Sequence, residues 1–182
     1  LDARQPTKEV RRLMATEEGF EREGWQKLNG ELGLTAIHIP EAYGGHGFGV
    51  SELAIVLEEM GRNVVCAPYF STAVLATTAI LNAGSEAEKK ALLPSIADGS
   101  VTATLAFSEA SGRIDGAGVA MTATKSGKGW RLKGTKSFVL DGHTADLIVV
   151  LARRPGSQSR SGGETGLSFF TVAGNAKGLE RK

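Results

Sequence analysis

The sequence is poor in the residues that build cross-linked or metal-clipped folds: it has one cysteine, Cys66, and three histidines, His38, His46 and His143. A single thiol cannot close an intramolecular disulfide, and these four positions lack the paired spacing of a zinc site. No metal is expected, and a reduced, cytoplasmic setting fits. Long apolar runs are missing too. The longest, Leu147 to Ala152, falls far short of the ~20 residues that a membrane-spanning helix requires, so no membrane insertion is expected. Leu1 to Glu23 mixes both charges without an apolar stretch, which argues against a signal peptide, and a first residue other than Met is what a fragment would show.

Nor is there an excess of one charge, the net over 182 residues being +1. That balance hides a polarity. Residues 1–100 carry nine basic and fourteen acidic side chains, a net of −5, whereas residues 101–182 carry twelve and six, a net of +6. The basic residues of the second half are scattered among strand-like segments rather than gathered with aromatics, so nucleic acid is not an expected partner. The P-loop, the G-x-S-x-G nucleophile elbow, the H-E-x-x-H helix and a strand-to-helix G-x-G-x-x-G are all absent. What remains, 41% hydrophobic and 23% charged residues, is the composition of a globular protein long enough to bury a core.

Residues 1–100 have helical periodicity. Val10, Leu13 and Met14, then Phe20, Trp25, Leu28, Leu32 and Leu34, recur at roughly 3.6-residue spacing and predict two amphipathic helices. Ile37 to Gly49, with Pro40 and four glycines, reads as loop. Ser51 is placed to cap a third helix whose apolar positions run from Leu53 to Met60, with Gly61 as its stop. Tyr69 to Asn82, apolar on nearly every side, predicts a buried helix ended by Gly84. Ser85 and Glu88 make a capping box for a short helix through Ile96.

Past Gly99 the period changes to that of strands. Val101–Phe107 alternates, Val119–Lys125 and Gly129–Lys133 frame a hairpin turn, and further strands are expected at Thr135–Leu140, Asp146–Ala152 and Leu167–Val172. Pro155 to Gly166, rich in Ser and Gly, reads as a surface loop. The expected class is α+β: a helical domain over 1–100, then an antiparallel β-barrel domain over 101–182.

Few side chains nominate themselves for chemistry. Gly45, Gly47 and Gly49 fit a tight interhelical turn better than a dinucleotide fingerprint, because no βαβ unit surrounds them. Glu58 and Glu59 point ~100° apart on a helix and do not converge on one substrate. His38, between two isoleucines, reads as hydrogen-bonded core, His143 as a turn residue, and Cys66 as a small hydrophobe without an activating cation.

The order of short segments says more. Leu32-Gly33-Leu34, Ile39 through Gly45, Val56 through Gly61, Gly84 through Lys90, Leu93-Pro94, Ala97-Asp98-Gly99, Leu105 through Glu109 and Gly134 through Gly142 together resemble the acyl-CoA dehydrogenase family over nearly the whole chain. The resemblance implies an N-terminal helical domain, a middle β-barrel domain, here incomplete, and a C-terminal helical domain absent from this chain. It implies FAD, and oxidation of the Cα–Cβ bond of an acyl-CoA thioester to a trans-2-enoyl product. An electron-transfer flavoprotein is the implied electron acceptor and a homo- or hetero-oligomer the implied assembly. Carried over residue by residue, the flavin contacts fall on Leu105, Phe107 and Ser108, and on Phe138, Val139 and Leu140; the acyl-lining segment falls on Tyr69, Phe70 and Ser71.

Two positions depart from the family pattern. Ala110-Ser111-Gly112-Arg113-Ile114-Asp115 replaces Pro-Gly-Ala-Gly-Ser-Asp, and Leu140 replaces the Thr of Trp-Ile-Thr. The family's base is a Glu of the C-terminal domain, so no catalytic residue is assigned here; Glu109 holds a place the family keeps without using it as the base. A non-catalytic subunit of a heteromeric dehydrogenase and an acyl-CoA oxidase are the alternatives the same segments allow.

Overall fold

Among the residues described by the computed structural model, 5–155 and 166–182, five α-helices precede five β-strands. The Ser- and Gly-rich stretch between Pro155 and Gly166 lies outside them. Helices α1 (Thr7–Leu13) and α2 (Arg22–Leu32) bury the first apolar stripe through Val10, Leu13, Trp25 and Leu28. The following loop doubles back closely enough that a Cβ on Gly45 would sit 1.8 Å from the Ile39 carbonyl oxygen.

Helix α3 (Val50–Arg62) departs from expectation at both ends. Gly49, not Ser51, is its N-cap, and the Gly49 N–H donates to Glu52 Oε2 at 2.8 Å. Gly61 lies inside the helix rather than ending it, because the left-handed residue that reverses the chain comes later, at Val64 with φ of 48°. The helix expected over Tyr69–Asn82 forms, but its first half, Phe70–Ala76, is π-wound before continuing as α4 (Thr77–Ala83). There the Thr77 N–H and hydroxyl both donate to the Thr72 carbonyl. The Thr72 side chain instead bridges to the sheet, donating to the Ala103 carbonyl and accepting the Ala103 N–H, both at 3.0 Å. Helix α5 (Glu86–Ala97) opens on the expected capping box, with Ser85 N–H to Glu88 Oε2 at 2.7 Å.

The strands β1 (Ala103–Ala106), β2 (Thr122–Ser126), β3 (Gly129–Lys133), β4 (Leu147–Arg153) and β5 (Leu167–Ala173) form one sheet. It is mixed and open, which corrects the antiparallel barrel. β1 runs parallel to β4, from Ala103↔Leu147 to Ala106↔Val150, and β2 meets β4 in parallel at Thr122↔Arg153 alone. The β2–β3 and β4–β5 pairs are antiparallel. A whole hairpin separates β1 from β4, enough chain to return β4 to the same end of the sheet. No strand forms at Thr135–Leu140. Phe138 and Asp141, with left-handed φ of 54° and 52°, turn the chain there instead.

Central β4 is covered on both faces, which explains its unbroken apolar sequence. Leu147 and Val149 join Ala103, Leu105, Ile80, Leu93 and Ile96 on the helical side. Ile148, Val150 and Ala152 join Ala106, Met121, Ala123, Phe170 and Val172 on the other. A separate core of Phe20, Trp25, Leu28, Leu53, Met60, Tyr69 and Ala73 ties α2 and α3 to the π-wound segment.

His38 belongs to the interior, but without the hydrogen bonds expected of it: both ring nitrogens are buried with no partner among the described residues. Burial lowers its pKa below the ordinary 6.5. The unfolded chain then binds the proton more readily, so stability falls as pH drops through 6.5. His38→Leu is expected to raise the melting temperature more at pH 5 than at pH 8.

Among the described residues β1, β3 and β5 each have one strand neighbour; Thr72 bonds to Ala103 of β1, while Phe169 of β5 is exposed. Open apolar edges recruit further strands. Residues 1–182 produced alone are expected to self-associate in sedimentation velocity, and Phe169→Lys to reduce it. A monodisperse wild-type species of 19.1 kDa would refute this.

Candidate functional site

The site grows from the end of β1. Beyond Ala106 the chain continues through Phe107, Ser108 and Glu109, and the segment before β4 comes to lie beside it. Ser137 N–H donates to the Ser108 carbonyl at 2.9 Å, and Thr104 Oγ1 donates to the Leu140 carbonyl at 2.6 Å. Lys136 Nζ reaches both the Phe107 carbonyl, at 3.2 Å, and Glu109 Oε1, at 2.7 Å. The two segments that the resemblance assigns to flavin are thus brought together.

Glu109 is the anchor of this junction. Its buried carboxylate also accepts the N–H groups of Ala120, at 2.9 Å, and Met121, at 3.0 Å. Burial works to raise its pKa, but the Lys136 ammonium and the two amides outweigh it and hold the carboxyl below its ordinary range. A base needs a free lone pair aimed at substrate. Glu109 has its oxygens committed to the fold.

The outward side of the junction is apolar. Phe138 is 92% exposed, and Leu140, two residues on, and Phe107 of the other segment are exposed as well. A non-glycine residue held at positive φ costs ~1–3 kcal/mol, which packing cannot repay for a side chain in solvent. Phe138 is therefore not a core residue but a displayed one. The Ser108 hydroxyl, half-exposed, has no hydrogen-bond partner among the described residues. Leu105 and Val139 turn inward, the first against the helical core and the second against the sheet core.

The acyl-lining residues divide in the same way. Tyr69 is buried, its hydroxyl donating to the Leu34 carbonyl at 2.8 Å, and burial pushes the phenol pKa up. Ser71 is buried with Oγ 2.5 Å from Asp141 Oδ2. Phe70, 47% exposed, presents surface.

The remaining candidates are structural. Glu58 and Glu59 both pair with Arg62 at 3.4 Å. His143 Nε2 lies 2.8 Å from the Glu17 carbonyl. Cys66 is clasped through its backbone by Gln5, and burial together with the charge of Glu9 raises its thiol pKa. Lys136, Thr72 and the Ser71–Asp141 contact were not singled out by sequence reasoning. A lysine beside Gly134 in a strand-like segment, with Glu109 at the end of another, is the signal that pairs the first of them.

Residues 3–100 match the family model described as acyl-CoA dehydrogenase, N-terminal domain, and residues 104–182 the one described as acyl-CoA dehydrogenase, middle domain. The chain belongs to the acyl-CoA dehydrogenase family. Acyl-CoA dehydrogenase FadE12 of Mycobacterium tuberculosis is 33% identical over 152 residues, 82% of this chain and 38% of the relative. Among solved structures, the ChsE4–ChsE5 complex from Mycobacterium tuberculosis superposes with a TM-score of 0.81 at 31% identity, over 98% of this chain and 45% of that one. An acyl-CoA dehydrogenase complexed with FAD from Bacillus anthracis gives 0.83 at 25% identity, over 98% of this chain and 30% of that one. The chain spans less than half the length of each, and its family is FAD-dependent.

Glu109→Gln tests the anchor. It strands the Lys136 ammonium, whose side chain is 5% exposed, and is expected to cost about 3 kcal/mol in denaturant unfolding at pH 7. Because the folded-state pKa of Glu109 lies below 4.5, its contribution is present above that pH and lost as pH falls through the folded value. The gap between wild type and variant should therefore close in acid.

Proposed function

We propose that these residues form the helical and sheet walls of an FAD-dependent acyl-CoA dehydrogenase, which converts an acyl-CoA thioester to its trans-2-enoyl product. The observation that carries this reading is the junction of 105–108 with 136–140, which leaves Phe138, Phe107 and Leu140 exposed and the Ser108 hydroxyl without a partner among the described residues. Those residues fit the flavin: apolar surfaces for its ring and a hydroxyl for its polar edge. When bound, FAD supplies the hydride acceptor for the substrate β-carbon, and an electron-transfer flavoprotein takes the electrons onward.

The chain's own residues bind and orient. Phe70, at the exposed start of the π-wound segment, offers one side of the acyl site, and Phe138 with Leu140 keeps water from the flavin face. Hydride transfer and α-proton removal must be aligned on one substrate at once. The carboxylate that takes the α-proton comes, on this reading, from outside residues 1–182. The division into a helical domain over 1–100 and a sheet domain over 101–182, and a cytoplasmic setting, belong to the same proposal.

A second reading has specific support. In Ala110 to Asp115 the family's hydroxyl is not in its place, where Ile114 stands, and Leu140 stands where a threonine would add another, so polar contacts to flavin are thinned. One structural relative is a complex of two different chains. A non-catalytic subunit that completes a partner's flavin site would have these features.

The two separate on colour and turnover. The intact protein is expected to be yellow as purified and to bleach anaerobically with acyl-CoA thioesters. Protein that stays colourless with added FAD would refute the first reading, and flavin taken up only with a second chain would establish the other. Phe138→Ala should raise the flavin dissociation constant roughly tenfold or more, by analogy with aromatic stacking on bases; an unchanged constant removes Phe138 from the site.

A further inference from the structure

Two consecutive buried hydroxyls join the acyl-side segment to both halves of the flavin cradle. Ser71 and Thr72 are each 0% exposed. Thr72 exchanges hydrogen bonds with Ala103, the first residue of the strand that leads to Phe107 and Ser108. Ser71 reaches the other half, with Oγ 2.5 Å from Asp141 Oδ2 in the turn directly after Leu140. A helical serine ordinarily donates to a carbonyl one turn back, and Ser71 has such an acceptor in Pro68, at 3.1 Å. The carboxylate oxygen is closer and charged, so it takes the single proton.

Asp141 is built to receive it. Its φ of 52° is one that aspartate tolerates better than most residues. Its carbonyl is occupied separately, accepting the N–H groups of Thr144, at 3.1 Å, and Ala145, at 3.0 Å. The turn is tight: a Cβ on Gly142 would sit 2.9 Å from Val139 Cγ1. The Gly142 N–H donates to the Val139 carbonyl at 3.1 Å, and the Asp141 carboxylate ties this turn to the helical layer.

We propose that Ser71 and Asp141 are positioning residues: their hydrogen bond holds the turn that displays Phe138 and Leu140 in register with the π-wound segment that carries Phe70. The role rests on the flavin reading above. It couples the place where the acyl chain lies to the surface where the ring lies, through one bond between buried and half-buried groups.

The test is FAD titration of the intact protein and of Ser71→Ala, Asp141→Gly and Asp141→Asn, with the bound-flavin absorbance spectrum and the melting temperature of the apoprotein. Glycine removes the carboxylate while accepting the left-handed φ without strain; asparagine keeps an acceptor oxygen and the same backbone tendency. Ser71→Ala and Asp141→Gly should each raise the FAD dissociation constant on the order of tenfold and shift the flavin spectrum. Asp141→Asn should stay near wild type. The double variant Ser71→Ala/Asp141→Gly should be no worse than the weaker-binding single, because both remove one interaction. Variants that melt lower yet bind FAD with the wild-type constant and spectrum would overturn the positioning role, as would fully additive losses. Wild-type protein that takes up no FAD would overturn the functional reading itself, and this role with it.

Discussion

The parallel alignment of β1 on β4 is the constraint from which the site follows, and one carboxylate governs where it begins. Parallel strands have no hairpin turn to set their register. Here Asp146 Oδ2 accepts both the N–H and the hydroxyl of Thr102, each at 2.9 Å, and the N–H groups of Asp146 and Leu147 return bonds to the Thr102 carbonyl at 2.9 and 3.0 Å. Arg22 of α2 meets both Asp146 oxygens at 2.8 Å. Burial alone would raise the Asp146 pKa; Arg22 and Thr102 together hold it below its ordinary range. With Thr102 pinned, Ala103 falls opposite Leu147 and Ala106 opposite Val150. Phe107 and Ser108 then emerge beside Lys136 and Ser137.

Polar groups and apolar groups divide the work at that junction. Glu109 and Lys136, buried and of opposite sign, fix the two segments to each other, and such a pair resists displacement because separating it leaves a charge without water. The displayed side chains are hydrocarbon and carry no comparable anchor. Their placement comes through the backbone, from the Ser108–Ser137 and Thr104–Leu140 bonds and from the turn at Phe138 to Asp141. Strained dihedrals of this kind persist where surrounding contacts over-determine them. Arg22–Asp146 performs the matching task between the acidic helical half and the basic sheet half, though its partial exposure leaves it open to salt screening.

How much of this is legible in the sequence varies with the range of the interaction responsible. Helices α2 and α5 are readable because a local apolar stripe and a capping box of Ser85 with Glu88 define them. The β2–β3 hairpin is readable because its turn residues lie between its strands. Alternation alone does not reveal that β4 pairs in parallel with β1, since the pairing is set by Asp146 and Thr102, forty-four positions apart. Thr135–Leu140 has the β-branched and aromatic character of a strand, yet it turns, because Lys136, Ser137 and Leu140 are claimed by β1 and its extension. Within the site, the segments could be named from the resemblance, but which side chains face out could not. Leu105 and Val139 pack inward, and Tyr69 and Ser71 are buried, for reasons that lie in the opposing layers.

On the proposed reading, the acids nearest the junction bind and orient rather than remove a proton. A carboxylate that abstracts a proton at neutral pH works best with a raised pKa and an oxygen free to approach carbon. Glu109 and Asp146 are both lowered by the donors around them, and each has its oxygens filled by the backbone and a cation. Asp115 is lowered by Arg113 and caps its own loop. Asp141 is held by Ser71. Glu109, Asp146 and Asp141 each hold a segment of the junction in place, and making any of them a base would require breaking that contact. On the proposed reading, geometry that holds a ring and an acyl chain in fixed relation, with the proton acceptor supplied from elsewhere, is the division of labour these residues fit.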